Sequence, residues 1–114
     1  MRRVPEHEDG FLRAVLELAS VLGWLAFHPR PARTAHGWVT ALSGDAGFPD
    51  VVLVKVYPHQ ERPARLIFAE FKSARGHLSE KQRTWIERLS EVLGIEVYIW
   101  YPKDWSEIVS ILES

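Results

Sequence analysis

Apolar residues recur along the chain with two periods, and the switches between them divide it into elements. Phe11, Val15, Leu18, Ala19 and Leu22 fall at helical spacing, which predicts a helix from about Glu8 to Gly23, with the glycine as its stop. Trp24-Leu25-Ala26-Phe27-His28 then predicts a short strand. Pro29 to Gly47 is rich in Pro, Gly, Ala, Ser and Thr and shows neither period, so it reads as a long loop or a partly helical excursion. Two β-rich runs follow. Phe48 to Tyr57 holds Val51-Val52-Leu53-Val54-Lys55-Val56, and Arg65 to Lys72 holds Leu66-Ile67-Phe68-Ala69-Glu70-Phe71. The polar Pro58-His59-Gln60-Glu61-Arg62-Pro63 joins them, which predicts an antiparallel hairpin. A helix from about Glu80 to Leu93 opens on a capping-box pattern, Ser79 with Gln82 three residues on, and stops at Gly94. Ile95 to Tyr101 predicts another strand, ended by Pro102, and Asp104 caps a last helix carrying Trp105, Ile108, Val109, Ile111 and Leu112.

The expected order is α-β-β-β-α-β-α. The helix between the last two strands is a crossover, and such units place their strands parallel. An α/β domain with a mixed β-sheet flanked by helices follows.

Composition narrows this further. At 114 residues, with 46% apolar and 25% charged positions, the chain fits one globular domain over 1–114. It has no cysteine, which excludes disulfides, thiolate metal sites and a cysteine nucleophile. No apolar run approaches the roughly 18 residues of a membrane helix, and Met1 to Asp9 lacks the apolar segment of a signal peptide, so no membrane association and a cytoplasmic location are expected. The formal net charge of −1 neither announces nor excludes a nucleic-acid binder, because carboxylates that hold cations add their own negative charge.

Apolar strands seldom carry ionisable groups without a reason. Here Asp50 opens one strand and Glu70 and Lys72 end the next. The two-residue period puts Glu70 and Lys72 on one face, about 6.5–7 Å apart along the strand. If Tyr57 pairs with Arg65, Asp50 lies opposite Lys72 and diagonal to Glu70, and all three share that face. Two carboxylates so placed can bracket a hard cation such as Mg²⁺ or Mn²⁺, with waters and substrate phosphates completing its shell and the backbone carbonyl of Phe71 as a further ligand. Lys72 can then orient or activate an attacking water, or stabilise the charge of a phosphoryl transition state. Plainer readings exist: Glu-x-Lys as a surface ion pair, Asp50 after Pro49 as a turn residue.

These residues carry a resemblance. Gly47-Phe48-Pro49-Asp50 followed by Glu70-Phe71-Lys72 resembles the PD-(D/E)xK nuclease signature. Gly23-Trp24, Gly76-His77-Leu78-Ser79-Glu80-Lys81-Gln82 and Val97-Tyr98-Ile99-Trp100-Tyr101-Pro102 extend the match over nearly the whole chain from Glu8. The wider pattern is similar to the VRR-NUC family in its small stand-alone phage and bacterial form. The resemblance implies a restriction-endonuclease-like core that hydrolyses DNA phosphodiester bonds with Mg²⁺ or Mn²⁺. Asp50 and Glu70 would be metal ligands and Lys72 the catalytic lysine. Glu8 best matches the family's acidic residue on the first helix, and Gln82 matches a family position after the ExK strand. Glu8 also suits a helix N-terminus electrostatically, and Gln82 also suits a helix cap.

Stand-alone members resemble dimeric junction resolvases, so a homodimeric Holliday-junction resolvase is the first expectation; a two-fold junction is most simply cut by a two-fold protein. A nuclease acting on flaps or nicked duplex, or a non-catalytic nucleic-acid-binding module on the same fold, are the competing readings. Arg30 and Arg33 lie in a stretch with no acidic residue, and Arg75, His77, Lys81 and Arg83 lie in another with few; these are the expected DNA phosphate contacts. His28, His36, His59 and His77 form no zinc spacing and are expected in loops or at the surface. Trp85, Trp100 and Trp105 are expected in the core, and Trp38 exposed.

Overall fold

The computed structural model describes residues 4–29, 32–34, 37–39 and 43–114, and within 32–34 and 37–39 the backbone. Arg30 and His36, and the side chains of Arg33 and Trp38, lie outside the described residues.

The elements are α1 (Glu8–Val21), β1 (Leu25–Phe27), β2 (Ala32–Thr34), β3 (Gly37–Val39), β4 (Val51–Lys55), β5 (Arg65–Phe71), α2 (Glu80–Leu89), β6 (Glu96–Trp100), a 3₁₀ turn (Pro102–Asp104) and α3 (Trp105–Glu113). Four strands form the main sheet in the order β1-β4-β5-β6. The β1–β4 and β4–β5 pairs are antiparallel, while β5 and β6, joined through α2, are parallel. This is the mixed sheet and the element order expected, a restriction-endonuclease-like core flanked by three helices.

Two expectations need correction. The stretch read as a loop or partly helical excursion contains a second, two-stranded antiparallel sheet, β2–β3. Its strands have three residues each, too few for a two-residue period to emerge. The β4–β5 register also differs: Arg65 pairs with Lys55, not with Tyr57. Tyr57 instead turns out of the sheet, where its hydroxyl donates to the Ser114 carbonyl (3.0 Å) and its ring takes Arg62 at 3.8 Å. The shift is two residues, so every side chain keeps its predicted face.

Those faces differ in character. Val51 and Leu53 of β4, and Ile67, Ala69 and Phe71 of β5, point to the side covered by α1 and α3 and are buried. Phe11, Leu12, Val15 and Ala19 of α1 and Ile108 and Leu112 of α3 complete this core, with Trp100 from β6. Phe71 sits at its centre, its ring edge-on to Phe11 (5.3 Å) and Trp100 (5.5 Å). Trp24 donates its indole N–H to the Leu112 carbonyl (3.0 Å), tying the chain after α1 to the end of α3. The opposite face carries Val52, Val54, Leu66 and Phe68 and meets α2, which buries none of its own residues. Toward the β1 edge Leu25 and Phe27 are 76% and 63% exposed.

At the Arg65 end of β5 a charged cluster locks the sheet to α3. Arg65 Nε and Nη2 donate to the two oxygens of Glu96 on the neighbouring β6 (2.7 and 2.6 Å). Its Nη1 donates to the carbonyls of Ile111 and Ser114 (3.0 and 3.1 Å), satisfying acceptors at the helix C-terminus. Arg65 holds the Glu96 carboxyl below its ordinary value, while burial and the bond to Glu96 push the Tyr98 hydroxyl up to about 12. Two-point arginine–carboxylate pairs are the strong kind. Arg65→Met should therefore destabilise the fold by about 2–3 kcal/mol, because it strands a partly buried carboxylate and two carbonyls. Since Glu96 has its pKa lowered by folding, the pair contributes fully above the ordinary carboxylate value of 4.5 and fades as pH falls through the folded value. Urea melts of the wild type and Glu96→Gln between neutral pH and pH ~3 check this. The gap between the two should narrow with acid, and a gap that stays constant contradicts the assignment.

Candidate active site

At the other end of β5 the strand carries its even-numbered residues, Glu70 and then Lys72, onto the α2 side. Apolar neighbours hold them there: Ala69 and Phe71 are fixed in the core on the odd positions. The result is two ionisable side chains almost wholly removed from water, with Glu70 1% and Lys72 9% exposed. Continuing the register one step past Val51–Ala69 sets Asp50 across from Glu70, where the sequence had placed it across from Lys72. Asp50 Oδ2 accepts the Phe71 backbone N–H (2.8 Å), a ladder donor that β4 is too short to reach. The Asp50 carbonyl in turn faces His28 Nδ1 at 2.8 Å, which ties the end of β4 to the chain leaving β1.

The N-terminus of α2 completes the cluster. Ser79 and Gln82 form the expected capping box: the Gln82 N–H donates to Ser79 Oγ (3.2 Å) and the Ser79 N–H to Gln82 Oε1 (2.9 Å). The same Oε1 also accepts from Lys72 Nζ (2.9 Å), and Gln82 Nε2 donates to Glu70 Oε2 (3.1 Å). One amide therefore caps the helix and bridges the strand's acid and base, whose charged atoms are 3.6 Å apart. Gly47 makes this approach possible. Its φ is +97°, and a Cβ there would stand 2.6 Å from the Lys81 carbonyl carbon and 2.9 Å from Gln82 N.

Electrostatically the cluster is strained. Burial raises the Glu70 carboxyl well above the usual range, Asp50 raises it further, and Lys72 only partly opposes them. Glu8, at the start of α1, is raised too, by reduced hydration first and then by Asp50, with Lys72 again opposing. Glu8 thus lies within the field of the cluster although its side chain is exposed. Glu70 Oε2 is satisfied by Gln82, but Oε1 is buried with no donor. A buried carboxylate oxygen without a partner, beside a second carboxylate, is what a hard oxygen-ligated cation fits. Among the described residues no group of three or more acidic or imidazole side chains closes around one point, so Asp50 and Glu70 would share a cation with backbone, water or phosphate oxygens.

Asp50, Glu70, Lys72 and Gln82 are thus brought together, with Glu8 close enough to couple. Arg75, His77, Lys81 and Arg83 are exposed on the turn and first helical turns beyond. Sequence reasoning missed His28 as the brace of Asp50; nothing in its spacing marks that role. It also misplaced Trp85, which is half-buried outside the core and donates its indole N–H to the Asp45 and Ala46 carbonyls (3.3 and 3.1 Å).

A family model for the VRR-NUC domain matches residues 10–103. The chain belongs to the VRR-NUC family. This VRR-NUC domain is thereby of nuclease type, and Asp50, Glu70, Lys72 and Gln82 all fall inside the matched span, with Glu8 two residues ahead of it. No curated protein and no solved structure matches the chain. Among the described residues no helix is long and apolar enough to cross a membrane.

A strained carboxylate pair makes a stability prediction. Asn at position 50 can still accept the Phe71 N–H but removes the charge that pushes Glu70 up. In chelator-treated buffer at neutral pH, Asp50→Asn should melt at or above the temperature of the native chain, as active-site acids often cost stability. A fall of several degrees would show that the Asp50 charge is not a source of strain.

Proposed function

We propose that this VRR-NUC domain is a Mg²⁺- or Mn²⁺-dependent DNA endonuclease, with Asp50 and Glu70 as the metal-binding carboxylates and Lys72 as the catalytic lysine. The observation that carries the proposal is Glu70 Oε1, buried and without a donor beside Asp50. Phe71 supports the same reading. A strand residue turns its N–H and C=O to the same edge, so the Phe71 carbonyl faces the side on which its N–H meets Asp50. Glu8 joins this ligand set through water, given its exposure and its coupling to Asp50. A divalent cation held here supplies an acidified water and neutralises charge on the scissile phosphate.

The chain's own residues do the rest. Lys72 Nζ is held by Gln82 beside Glu70, where it can donate to a phosphate oxygen that gains charge. Gln82 positions both partners and is not itself required to exchange protons. Arg75, His77, Lys81 and Arg83, with Arg30 and Arg33, contact phosphates and set the strand's path. The substrate is branched DNA, a Holliday junction first, and the active form is a homodimer. Support for the dimer comes from the exposed Leu25 and Phe27 on β1, which among the described residues is an edge strand of the main sheet, and an open edge favours association.

Labelled four-way junction, flap, nicked and linear duplexes, incubated with Mg²⁺, Mn²⁺ or chelator, test this. The native chain should cut the junction with either cation and not with chelator. Lys72→Ala should lose about 10²–10³-fold in rate, the usual cost of removing one charge-stabilising donor. If no substrate is cut, the domain is a binding module. If flaps or nicks are cut and junctions are not, the resolvase reading fails, and a monomeric mass at micromolar concentration removes the dimer.

A further inference from the structure

A cleft of about 690 Å³ opens along α2, next to the site but separate from it. Lys81, Trp85 and Arg88 line it from the helix, Val92 from the turn beyond, and Asp45 and Ala46 from the opposing loop. Steps of four and three residues put Lys81, Trp85 and Arg88 on one face of α2. A flat aromatic group therefore stands between two cations. The loop wall is fixed to the helix by the Trp85 N–H, which bonds both Asp45 and Ala46. Phe48 packs edge-on to the indole at 5.0 Å, so the ring is held in place before any ligand arrives.

We infer that this cleft receives one unpaired nucleotide of the DNA strand, its base against Trp85 and its flanking phosphates on Lys81 and Arg88. The inference rests on the nuclease reading for its ligand. The volume suits a mononucleotide, since sites for small molecules run from about 300 to 1,000 Å³. Aromatic plates flanked by cations are how proteins hold single-stranded nucleic acid. Asp45 disfavours a further phosphate on the loop wall and suits the amino edge of a base. Position links the cleft to the chemistry: Lys81 adjoins Gln82, which touches Glu70 and Lys72, and Gly47 rests on the peptide between them. A base stacked inside duplex DNA cannot enter such a cleft. The domain should therefore prefer DNA with an unpaired nucleotide beside the cut, and this preference would act in each protomer independently.

Fluorescence anisotropy in chelator can measure this. The probes are a labelled duplex with a single unpaired deoxycytidine and the same duplex fully paired. The native chain should bind the first about tenfold more tightly, in the range expected for stacking one base. The readout is the ratio of the two affinities within each protein. Trp85→Leu removes the plate, and Val92→Glu sets a negative charge in the cleft lining beside Arg88, where a phosphate would be repelled. Both should bring the ratio close to one, with cooperative melts confirming that each variant is folded. Equal binding of the two DNAs by the native chain, or an unchanged ratio in folded Trp85→Leu and Val92→Glu, overturns the inference. Cleavage with Mg²⁺ is scored separately. A binding preference without cleavage defeats the nuclease reading alone, and cleavage without the preference defeats the cleft alone.

Discussion

The arrangement turns on a carboxylate withdrawn from water at the end of a central strand. Glu70 is there because the two-residue period of β5 must also bury Ala69 and Phe71 on the other face. Ionised, it is costly: an unpaired buried charge destabilises by several kcal/mol, and a single lysine in imperfect geometry does not offset that. The surrounding structure can be understood as the answer to this cost. The start of α2 is brought up so that Gln82 reaches the acid, and Gly47 lets a loop backbone come close enough to fix the start of that helix. Its other oxygen, Oε1, is left without a donor.

The two ends of β5 make an instructive contrast. Arg65 at one end has its donors matched to a carboxylate and helix carbonyls, and the cluster joins strand, strand and helix. Glu70 at the other end is matched on one oxygen only. Fully satisfied buried networks fix a fold, whereas partly satisfied ones mark places where stability was yielded for something else. The same strand thus carries an anchor and a working end, with the Ile67–Phe71 core between them.

Much of this was legible in the sequence. Ionisable residues in apolar runs stood out at Asp50, Glu70 and Lys72 because the period is strong there, and the family followed from the ordered segments around them. The register was not legible. A shift of two residues leaves every apolar position on its own face, so periodicity cannot distinguish a hairpin that closes at Tyr57 from one that closes at Lys55. What decides it is Tyr57 reaching Ser114, a contact 57 residues away in sequence. The β2–β3 hairpin was hidden by its brevity, and α2 ends at Leu89, not Leu93, because Val92 and Leu93 find too little to pack against. Trp85 was misread because aromatic residues at helical spacing usually face a core, whereas this helix buries none of its residues.

The Gln82 side chain has one more implication. A glutamine amide can ordinarily turn over and exchange its acceptor for its donors. Here the Ser79 N–H and the Lys72 ammonium both require an oxygen, and the Glu70 carboxylate requires an N–H, so only one orientation satisfies all three. The helix cap therefore acts as a polarity lock. It imposes donor and acceptor on the acid and the base when the helix forms, and the lysine is aimed by folding itself before any cation or strand of DNA is present.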